Sequence, residues 1–375
     1  MSETGTAASI NGKVQELGDV ELACLICLIA DQHAIVEADK ESLDDLEQEI
    51  RLISSNTFGL SCAVVDCNER TTIDDLGNAI LVHHSEPSYF SKPLARHFRE
   101  YSSFDPDSSE DGRPSPFTAT RSPGKLSSMD SRRVADVVIT KNLNVTHHLV
   151  QIQALELIRG KRIFSRTAVH SAPRRFLFIS LQEAGSGRLT PLLNDRLFIS
   201  HTHDPEDGLP NLEDQQQAVT AEDASDTSVI HSPSVSPLHM RTSSEPLFSK
   251  RDIDTLITRA DSVSLTAEIR AYIHSLPAFL RLHRAVAGGV SSNATRYLNI
   301  LCRVLAPLHE LTYITPSLVQ LAVRKIYPHR ITLTTPENER SMQWGSSVEV
   351  VRDLLEGVTV GDVIEDVLAE VEVPL

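Results

Sequence analysis

The sequence has 375 residues, enough for two or three compact domains at about 150 residues each. Its 35 basic and 51 acidic residues give a formal net charge of -16, which excludes the basic field that binding to a phosphate backbone requires. No apolar run reaches the roughly 20 residues that cross a bilayer. We therefore expect a globular protein with neither a nucleic-acid nor a membrane partner.

The beginning of the chain and its cysteines indicate a reducing compartment. The first thirteen residues lack the basic start and apolar stretch of a secretory signal. Five cysteines are few and odd in number, which favours free thiols. Cys24 and Cys27 form a CxxC pair, but their helical spacing within the apolar stretch 22–30 predicts core residues. We expect an intracellular protein, in the cytoplasm or, as the open alternative, the nucleus.

Two polar stretches divide the chain. Both are rich in Ser, Asp and Pro and lack apolar periodicity, so they cannot offset the entropy of ordering. The predicted division is an α/β domain in two parts (1–85 and 134–204), a disordered insertion (86–133), a disordered linker (205–250), a helical lid (251–331) and C-terminal amphipathic helices (332–375).

Before the linker, helix and strand patterns alternate. Apolar spacing predicts a helix over 14–30, and a second helix carries Leu43, Leu46, Ile50 and Ile53 at steps of three and four. A third helix covers 147–159. The predicted strands are 33–36, 62–66, 79–82, 134–140 and 176–180. Such alternation predicts a largely parallel sheet covered on both faces.

After the linker, helical periodicity continues without a strand signal. The predicted helices are 252–257, 267–287, 293–308 and 316–327. Thr315 can cap the last one, and Pro316 suits its first turn. Two further amphipathic helices follow in 332–375, where Trp344 is the single tryptophan. This segment either docks a partner or packs back on the body, and a lone tryptophan is more often buried.

Several segments resemble AAA+ ATPases. Residues 32–38 (QHAIVEA) resemble the strand before the phosphate loop, and residues 137–144 (VVITKNLN) resemble the metal-binding strand. Residues 189–198 (LTPLLNDRLF) are similar to a segment of magnesium-chelatase ATPase subunits and MoxR-type ATPases. Residues 289–294, 311–319 and 327–331 resemble the lid of the same family. The resemblance is to a fungal magnesium-chelatase-like group. It implies an AAA+-like three-layer α/β sandwich with a mostly parallel sheet, followed by an all-helical lid domain.

The phosphate loop departs from the pattern G-x-x-x-x-G-K-[ST], in which glycines, a lysine and a hydroxyl hold phosphates and Mg²⁺. On the resemblance, Ala38 and Leu43 replace the glycines, Asp44 the lysine and Asp45 the hydroxyl. A carboxylate about 4 Å from a phosphate charge is repelled by roughly 4 kcal/mol at an effective dielectric near 20. We expect no bound cofactor; ATP and Mg²⁺ would bind only if the family activity is retained.

The other nucleotide positions have also changed. The acidic pair that holds Mg²⁺ and orients water in the family corresponds to Lys141 and Asn142. The sensor position after the fifth strand falls on Glu183, with Gln182 as the alternative alignment. The lid sensor arginine corresponds to Asn293. Each substitution removes a group that would contact phosphate or Mg²⁺.

Asp195 and Arg196 retain the family's arginine-finger segment. An oligomer could use Arg196 in trans, completing a neighbour's ATP site. The alternative is a surface arginine paired with Asp195 or another acid.

His201 and His203 form an H-x-H pair, which on a strand would place both imidazoles on one face. No third ligand follows at a recognisable spacing. We therefore predict no metal site.

These observations predict a degenerate AAA+-like subunit, a pseudo-ATPase that acts as scaffold or regulator in an oligomer. Its partner would be a second copy or an active AAA+ subunit. The alternative is an ATP-dependent subunit of the magnesium-chelatase type, which drives metal insertion into a porphyrin.

Overall fold

The computed structural model describes residues 10–83, 132–164, 168–215 and 246–374. Most of the two stretches predicted to be disordered therefore lies outside the described residues. At their edges the prediction is wrong, because residues 132–133 belong to a strand and residues 205–215 form a 3₁₀ turn and a helical turn.

A five-stranded parallel sheet forms the centre of the α/β domain. Its strands are β1 (Ala34–Ala38), β2 (Cys62–Asp66), β5 (Val137–Lys141), β8 (Leu177–Glu183) and β9 (Ile199–Thr202). Their order across the sheet is β2-β5-β8-β1-β9. The prediction of a mostly parallel sheet is confirmed.

Helices cover both faces of this sheet, because neighbouring strand residues point in opposite directions. On β1, Val36 packs into the core shared with the lid, whereas Ile35 packs into the core on the other face. The first face carries α1 (Asp19–Ala30) and α2 (Leu43–Leu52), and the second carries α3 (Ile73–Ala79) and α4 (His148–Gly160). The result is the predicted three-layer sandwich.

Several element boundaries differ from the prediction, and the helix predicted over 267–287 ends at Leu282. The helix predicted over 14–30 is broken at Gly18, whose extended backbone precedes α1 and whose N–H donates to the Glu21 carboxylate. The strand predicted over 134–140 is two strands, because Asp136 turns away and accepts hydrogen bonds from the N–H and hydroxyl of Ser61.

The strand predicted at 79–82 lies outside the central sheet. Ala79 ends α3, and β3 (Leu81–His83) pairs antiparallel with β4 (Arg132–Val134). A second small ribbon joins β6 (Arg162–Phe164) to β7 (Val169–Ser171). A short helix, α5 (Pro191–Asn194), follows β8 and lies beside α4, where the Thr190 N–H donates to Gln151 Oε1 at 2.8 Å.

The lid is helical, as predicted, and packs against α1. Its helices are α6 (Lys250–Ser262), α7 (Ala267–Leu282), α8 (Ser292–Leu308) and α9 (Pro316–Ile326). The Thr315 hydroxyl accepts the Leu318 N–H, so the predicted cap of α9 is present. One small ribbon, β10 (Val286–Gly288) with β11 (Thr332–Leu333), lies among the helices.

The C-terminal segment packs back on the body through α11 (Val360–Glu370), which contacts α7 and α9. The preceding helix α10 (Val348–Leu355) buries Val351 and leaves Val350 exposed. The tryptophan expectation is wrong, because Trp344 is 87% exposed.

Candidate functional site

The turn between β1 and α2 lies where the resemblance places the phosphate loop. The chain leaves β1 at Ala38, forms a 3₁₀ turn over Lys40–Ser42 and enters α2 at Leu43. No residue from 39 to 45 has a positive φ. A cradle of successive N–H groups around an anion needs such left-handed residues. This turn therefore forms no anion cradle.

An ion pair occupies the beginning of α2. Lys141, at the end of β5, places its ammonium 2.5 Å from Asp44 Oδ1 and 3.2 Å from Glu47 Oε2. The Lys141 side chain is largely buried, as is that of Glu47, whereas Asp44 is exposed. Partial burial alone would lower the pKa of Lys141, but the hydrogen bonds and charges of the two carboxylates outweigh it and raise that pKa.

Two predicted positions thus meet with exchanged charges. On the resemblance, the phosphate-binding lysine corresponds to Asp44, and the metal-binding aspartate corresponds to Lys141. The structure joins these two residues directly. Asp45 is exposed on the same turn of α2 and lies beyond ion-pair distance of Lys141.

Three other predicted nucleotide positions, Asn142, Gln182 and Glu183, lie in or next to the strands beside this ion pair. Asn142 has a left-handed backbone at φ 56°, and its N–H donates to the Leu181 carbonyl at 2.8 Å. Gln182 is buried and donates to Glu37 Oε1 at 3.0 Å. Glu183, the preferred sensor position, is half-buried at the end of β8, in register with Ala38 of β1.

A second group of predicted residues lies at the junction with the lid. Asn293 donates its side-chain amide to the Asp195 carbonyl at 2.8 Å, and the Ser291 hydroxyl donates to Asp195 Oδ1 at 2.5 Å. The Tyr297 hydroxyl donates to the Arg196 carbonyl at 3.2 Å. The Arg196 side chain is half-buried, and no hydrogen bond or ion pair holds it within the described part of the chain.

Arg330 is the buried centre of this junction, and sequence reasoning missed it. Its guanidinium donates to the carbonyls of Leu197, Phe198 and Ile326, and it lies 5.4 Å from the ring centroid of Tyr297. Burial lowers the pKa of Arg330 to about 10, against the opposing charge of Asp195, 3.7 Å from Arg330 Nε. The lid motif at 327–331 was the available signal, but no pattern distinguishes a buried arginine from an exposed one.

Three more contacts close the same junction. The Asn194 side chain donates to the His329 carbonyl at 2.6 Å, and His329 Nε2 donates to the Leu197 carbonyl at 3.2 Å. Arg188 donates to the Ile331 carbonyl at 2.7 Å. Gly289 is needed nearby, because a Cβ there would lie 1.9 Å from the Arg330 carbonyl oxygen. The lid is therefore held to the α/β domain by buried hydrogen bonds.

Two buried carboxylates hold the segment that follows β9. Glu49 of α2 accepts from the backbone N–H groups of Asn211 and Leu212 at 3.2 and 2.8 Å, and from the Asn211 side chain at 2.8 Å. Glu21 of α1 accepts from the same side chain at 3.0 Å and from the Thr57 hydroxyl at 2.7 Å. The partners lie far apart in the chain, so sequence reasoning missed this contact.

The remaining predicted motifs lie elsewhere. Cys24 and Cys27 are buried in α1, and burial raises the pKa of both thiols, that of Cys24 to about 12. Such thiols are unreactive at neutral pH. His201 and His203 are both buried, and the described residues contain no group of three potential metal ligands.

No described helix is both long and apolar enough to cross a membrane.

The chain resembles known proteins in two respects. Residues 278–354 match the AAA lid domain, a range that begins within the predicted lid and extends past its predicted end. The crystal structure of a candidate ATPase from Cytophaga hutchinsonii has a similar fold, with a TM-score of 0.60 at 15% identity, covering 99% of this chain and 95% of that one.

Curated relatives match over a shorter region. The "Maintenance of telomere capping protein 2" of Kluyveromyces lactis is 32% identical over 100 residues, 25% of this chain and 36% of that protein. Its counterpart from Lachancea thermotolerans is 29% identical over 113 residues, 29% of this chain and 40% of that protein. The match thus spans well under half of these relatives. The grouping with magnesium chelatases stays a prediction. The AAA+-like fold is confirmed, since the chain has an α/β domain followed by a helical lid whose residues 278–354 match the AAA lid domain.

Proposed function

We propose that this protein is a non-hydrolysing AAA+-type subunit that acts as a scaffold or regulator within an oligomer. The observation that carries the proposal is the ion pair between Lys141 and Asp44. In an active site of this fold, a lysine attracts phosphate and an acid holds Mg²⁺. Here each residue has the opposite charge, and the two neutralise each other.

Electrostatics opposes both ligands of such a site. A phosphate beside Asp44 meets a like charge, and Mg²⁺ beside Lys141 does too. At about 4 Å and an effective dielectric near 20, the repulsion is roughly 4 kcal/mol for each pair of unit charges, and about twice that between Lys141 and divalent Mg²⁺. Glu47, one turn further along α2, adds a second carboxylate beside Lys141. Opening the ion pair would not help, because it would expose the same charges to the nucleotide.

The hydrogen-bonded junction of the lid and the α/β domain supports the same proposal. Lid motion accompanies many catalytic cycles, and it requires an interface whose contacts can be exchanged. Arg330 and His329 instead make buried hydrogen bonds to backbone carbonyls next to Arg196. Breaking such bonds leaves buried polar groups unpaired, at about 1–3 kcal/mol each. A fixed lid suits a scaffold.

An apolar surface beside Arg196 is the proposed contact with a neighbouring subunit. Val145, Leu149 and Ile152 lie exposed in and before α4, and Leu192 of α5 is 73% exposed. These four side chains lie on adjoining elements. Large exposed apolar groups that cluster in this way mark interaction sites. Arg196, whose side chain has no hydrogen-bond or ion-pair partner among the described residues, lies two residues beyond the end of α5.

The names of the yeast relatives indicate a biological setting. We include in the proposal that the scaffold serves the maintenance of telomere capping, by contacting protein rather than DNA, since its charge is -16. Expression of this chain in Kluyveromyces lactis lacking the relative should restore capping if the setting is shared. Failure to restore it would remove the setting and leave the scaffold proposal to its own test.

Assembly is the direct test of the scaffold. Leu192→Asp should lower the sedimentation coefficient of the oligomer formed by the chain, or release a co-purified AAA+ subunit, because it places a charge within the apolar surface. Arg196→Ala should weaken the same assembly while changing the free energy of unfolding by under about 0.5 kcal/mol. Leu282→Asp is the matched control, since Leu282 is 68% exposed on the lid. A monomeric wild type without a partner would contradict the proposal.

The same preparations distinguish the alternative. A magnesium-chelatase-type ATPase would release phosphate from Mg-ATP, and Lys141→Ala would alter that rate. The scaffold proposal predicts that the wild type releases phosphate only at the background rate, both as a single subunit and as an oligomer of identical subunits.

A further inference from the structure

A half-open cavity of about 250 Å³ lies between α1, β9 and the lid helices α8 and α9. Its walls are apolar and include Leu22, Ile26, Leu301, Leu305 and Leu321. It is separate from the Lys141–Asp44 pair, which lies at β5 and α2. None of the residues assigned to the proposed scaffold surface lines it.

One cation lies in the wall of this apolar cavity. The Lys325 ammonium is 3.4 Å from His201 Nδ1, and no carboxylate lies within ion-pair distance of it among the described residues. An ammonium removed from water normally requires a paired charge. Burial accordingly lowers the pKa of Lys325, with Asp19 acting in the opposite direction.

His201 adds a neutral polar group to the same wall. It is 4% exposed, and burial, aided by the Lys325 charge, lowers its pKa to about 4. The uncharged ring therefore accepts at Nδ1 from Lys325 and carries its proton on Nε2, which has no hydrogen-bond partner among the described residues. Because the ring is neutral, it leaves the positive charge of Lys325 uncompensated.

We propose that the cavity binds a small monocarboxylic acid, whose apolar body lies against the leucine walls and whose carboxylate pairs with Lys325. At about 30 Å³ per water molecule, the cavity has the space of about eight waters, close to that of an eight-carbon acid. A single cation suits a single negative charge. Asp19, exposed at the mouth, disfavours a dianion such as a phosphate ester, and the volume is too small for a nucleoside triphosphate.

Calorimetric titration of the full chain with octanoate tests the proposal, with octanol as the uncharged probe of the same shape. Octanoate should bind saturably, and octanol should bind at least tenfold more weakly, because only the acid can pair with Lys325. Equal affinities would overturn the proposal, as would the absence of saturable octanoate binding. This comparison needs no variant and does not depend on nucleotide binding.

Three variants locate the site. Lys325→Met should weaken octanoate at least tenfold and reduce its preference over octanol to within about twofold, since it removes the charge and retains the length of the side chain. Arg324→Met is the matched control, because Arg324 pairs with Glu365 outside the cavity. Asp19→Asn should tighten octanoate severalfold by removing an opposing charge. Octanoate binding that is unchanged in Lys325→Met would overturn the assignment.

Discussion

At the scale of single residues, the decisive feature is the exchange of charge between Asp44 and Lys141. The ammonium of Lys141, at the end of β5, and the carboxylate of Asp44, in the first turn of α2, attract each other. The carboxylate also suits the helix dipole, which favours acids at the beginning of a helix. The arrangement is therefore stable without a ligand. A site built for phosphate has the opposite polarity and needs its ligand to balance its charges.

Reversing the pair residue by residue tests this interpretation. Asp44→Lys places two ammonium groups together, and Lys141→Asp places a third carboxylate beside Asp44 and Glu47. Asp44→Lys should lower the free energy of unfolding by about 1 kcal/mol, a modest value because Asp44 is exposed and water screens its charge. Lys141→Asp should cost more, because its carboxylate also opposes the largely buried Glu47. The double variant should lose less than the two single changes together, because opposite charges again face each other at positions 44 and 141. Urea unfolding measures this coupling, and additive single effects would show that the pair is not energetically joined.

At the scale of elements, the segment after β9 is tied to its neighbours by two buried carboxylates. The helical turn at 210–215 presents its first N–H groups to the Glu49 carboxylate, which is 1% exposed. The Asn211 side chain bridges that carboxylate to Glu21. A buried carboxylate is stable only with such donors, so one short segment fixes α1 against α2.

Removing the bridging amide should therefore be costly. Asn211→Ala leaves two buried carboxylates one donor short, and we expect it to lower the free energy of unfolding by about 2–4 kcal/mol. Asn338→Ala is a suitable control, because Asn338 makes one exposed contact with Thr335. Urea midpoints that shift equally for both variants would mean that the bridge carries no special energy.

Sequence patterns were sufficient for elements whose apolar spacing is local. The steps of Leu43, Leu46 and Ile50 predict α2, and β8 follows from its continuous apolar run. They failed where one side chain decides the local path, as where Gly18 interrupts a helical pattern and Asp136 interrupts a strand pattern.

The candidate site shows the same limit. Its positions could be assigned by resemblance, one residue at a time. The ion pair itself joins residues 97 positions apart, and no local pattern contains that information. The Asn211 bridge likewise connects segments separated by more than 160 positions.

At the scale of the whole molecule, the lid and the α/β domain share one core, and uncharged histidines are part of it. His33 accepts the Phe178 N–H at 3.1 Å, and burial lowers its pKa to about 3. Burial lowers the pKa of His201 to about 4 and holds that of His329 well below its ordinary value. All three groups therefore fold in the uncharged form.

Stability should consequently fall as the solution becomes acidic. Below pH 6.5 the histidines of the unfolded chain become protonated, whereas the buried histidines of the folded chain stay neutral. Their contribution to the free energy of unfolding is therefore complete above pH 6.5 and is lost as the pH falls towards 4. Each histidine should lower the free energy of unfolding by about 1.4 kcal/mol per pH unit in this window. Urea unfolding between pH 7 and 5 measures the slope. His33→Gln should reduce the slope by about one third, and an unchanged slope would contradict the assignment.

The most direct test of the central claim is an equilibrium titration of the purified chain with a fluorescent ATP analogue and Mg²⁺. We predict no saturable fluorescence change up to millimolar nucleotide, because the Asp44 carboxylate and the Lys141 ammonium repel phosphate and Mg²⁺ respectively. Asp44→Ala should not create a tight site, since the turn before α2 still lacks glycines. Saturable binding by the wild type at micromolar nucleotide, lost when Asp44 is replaced by a bulky residue, would contradict the account.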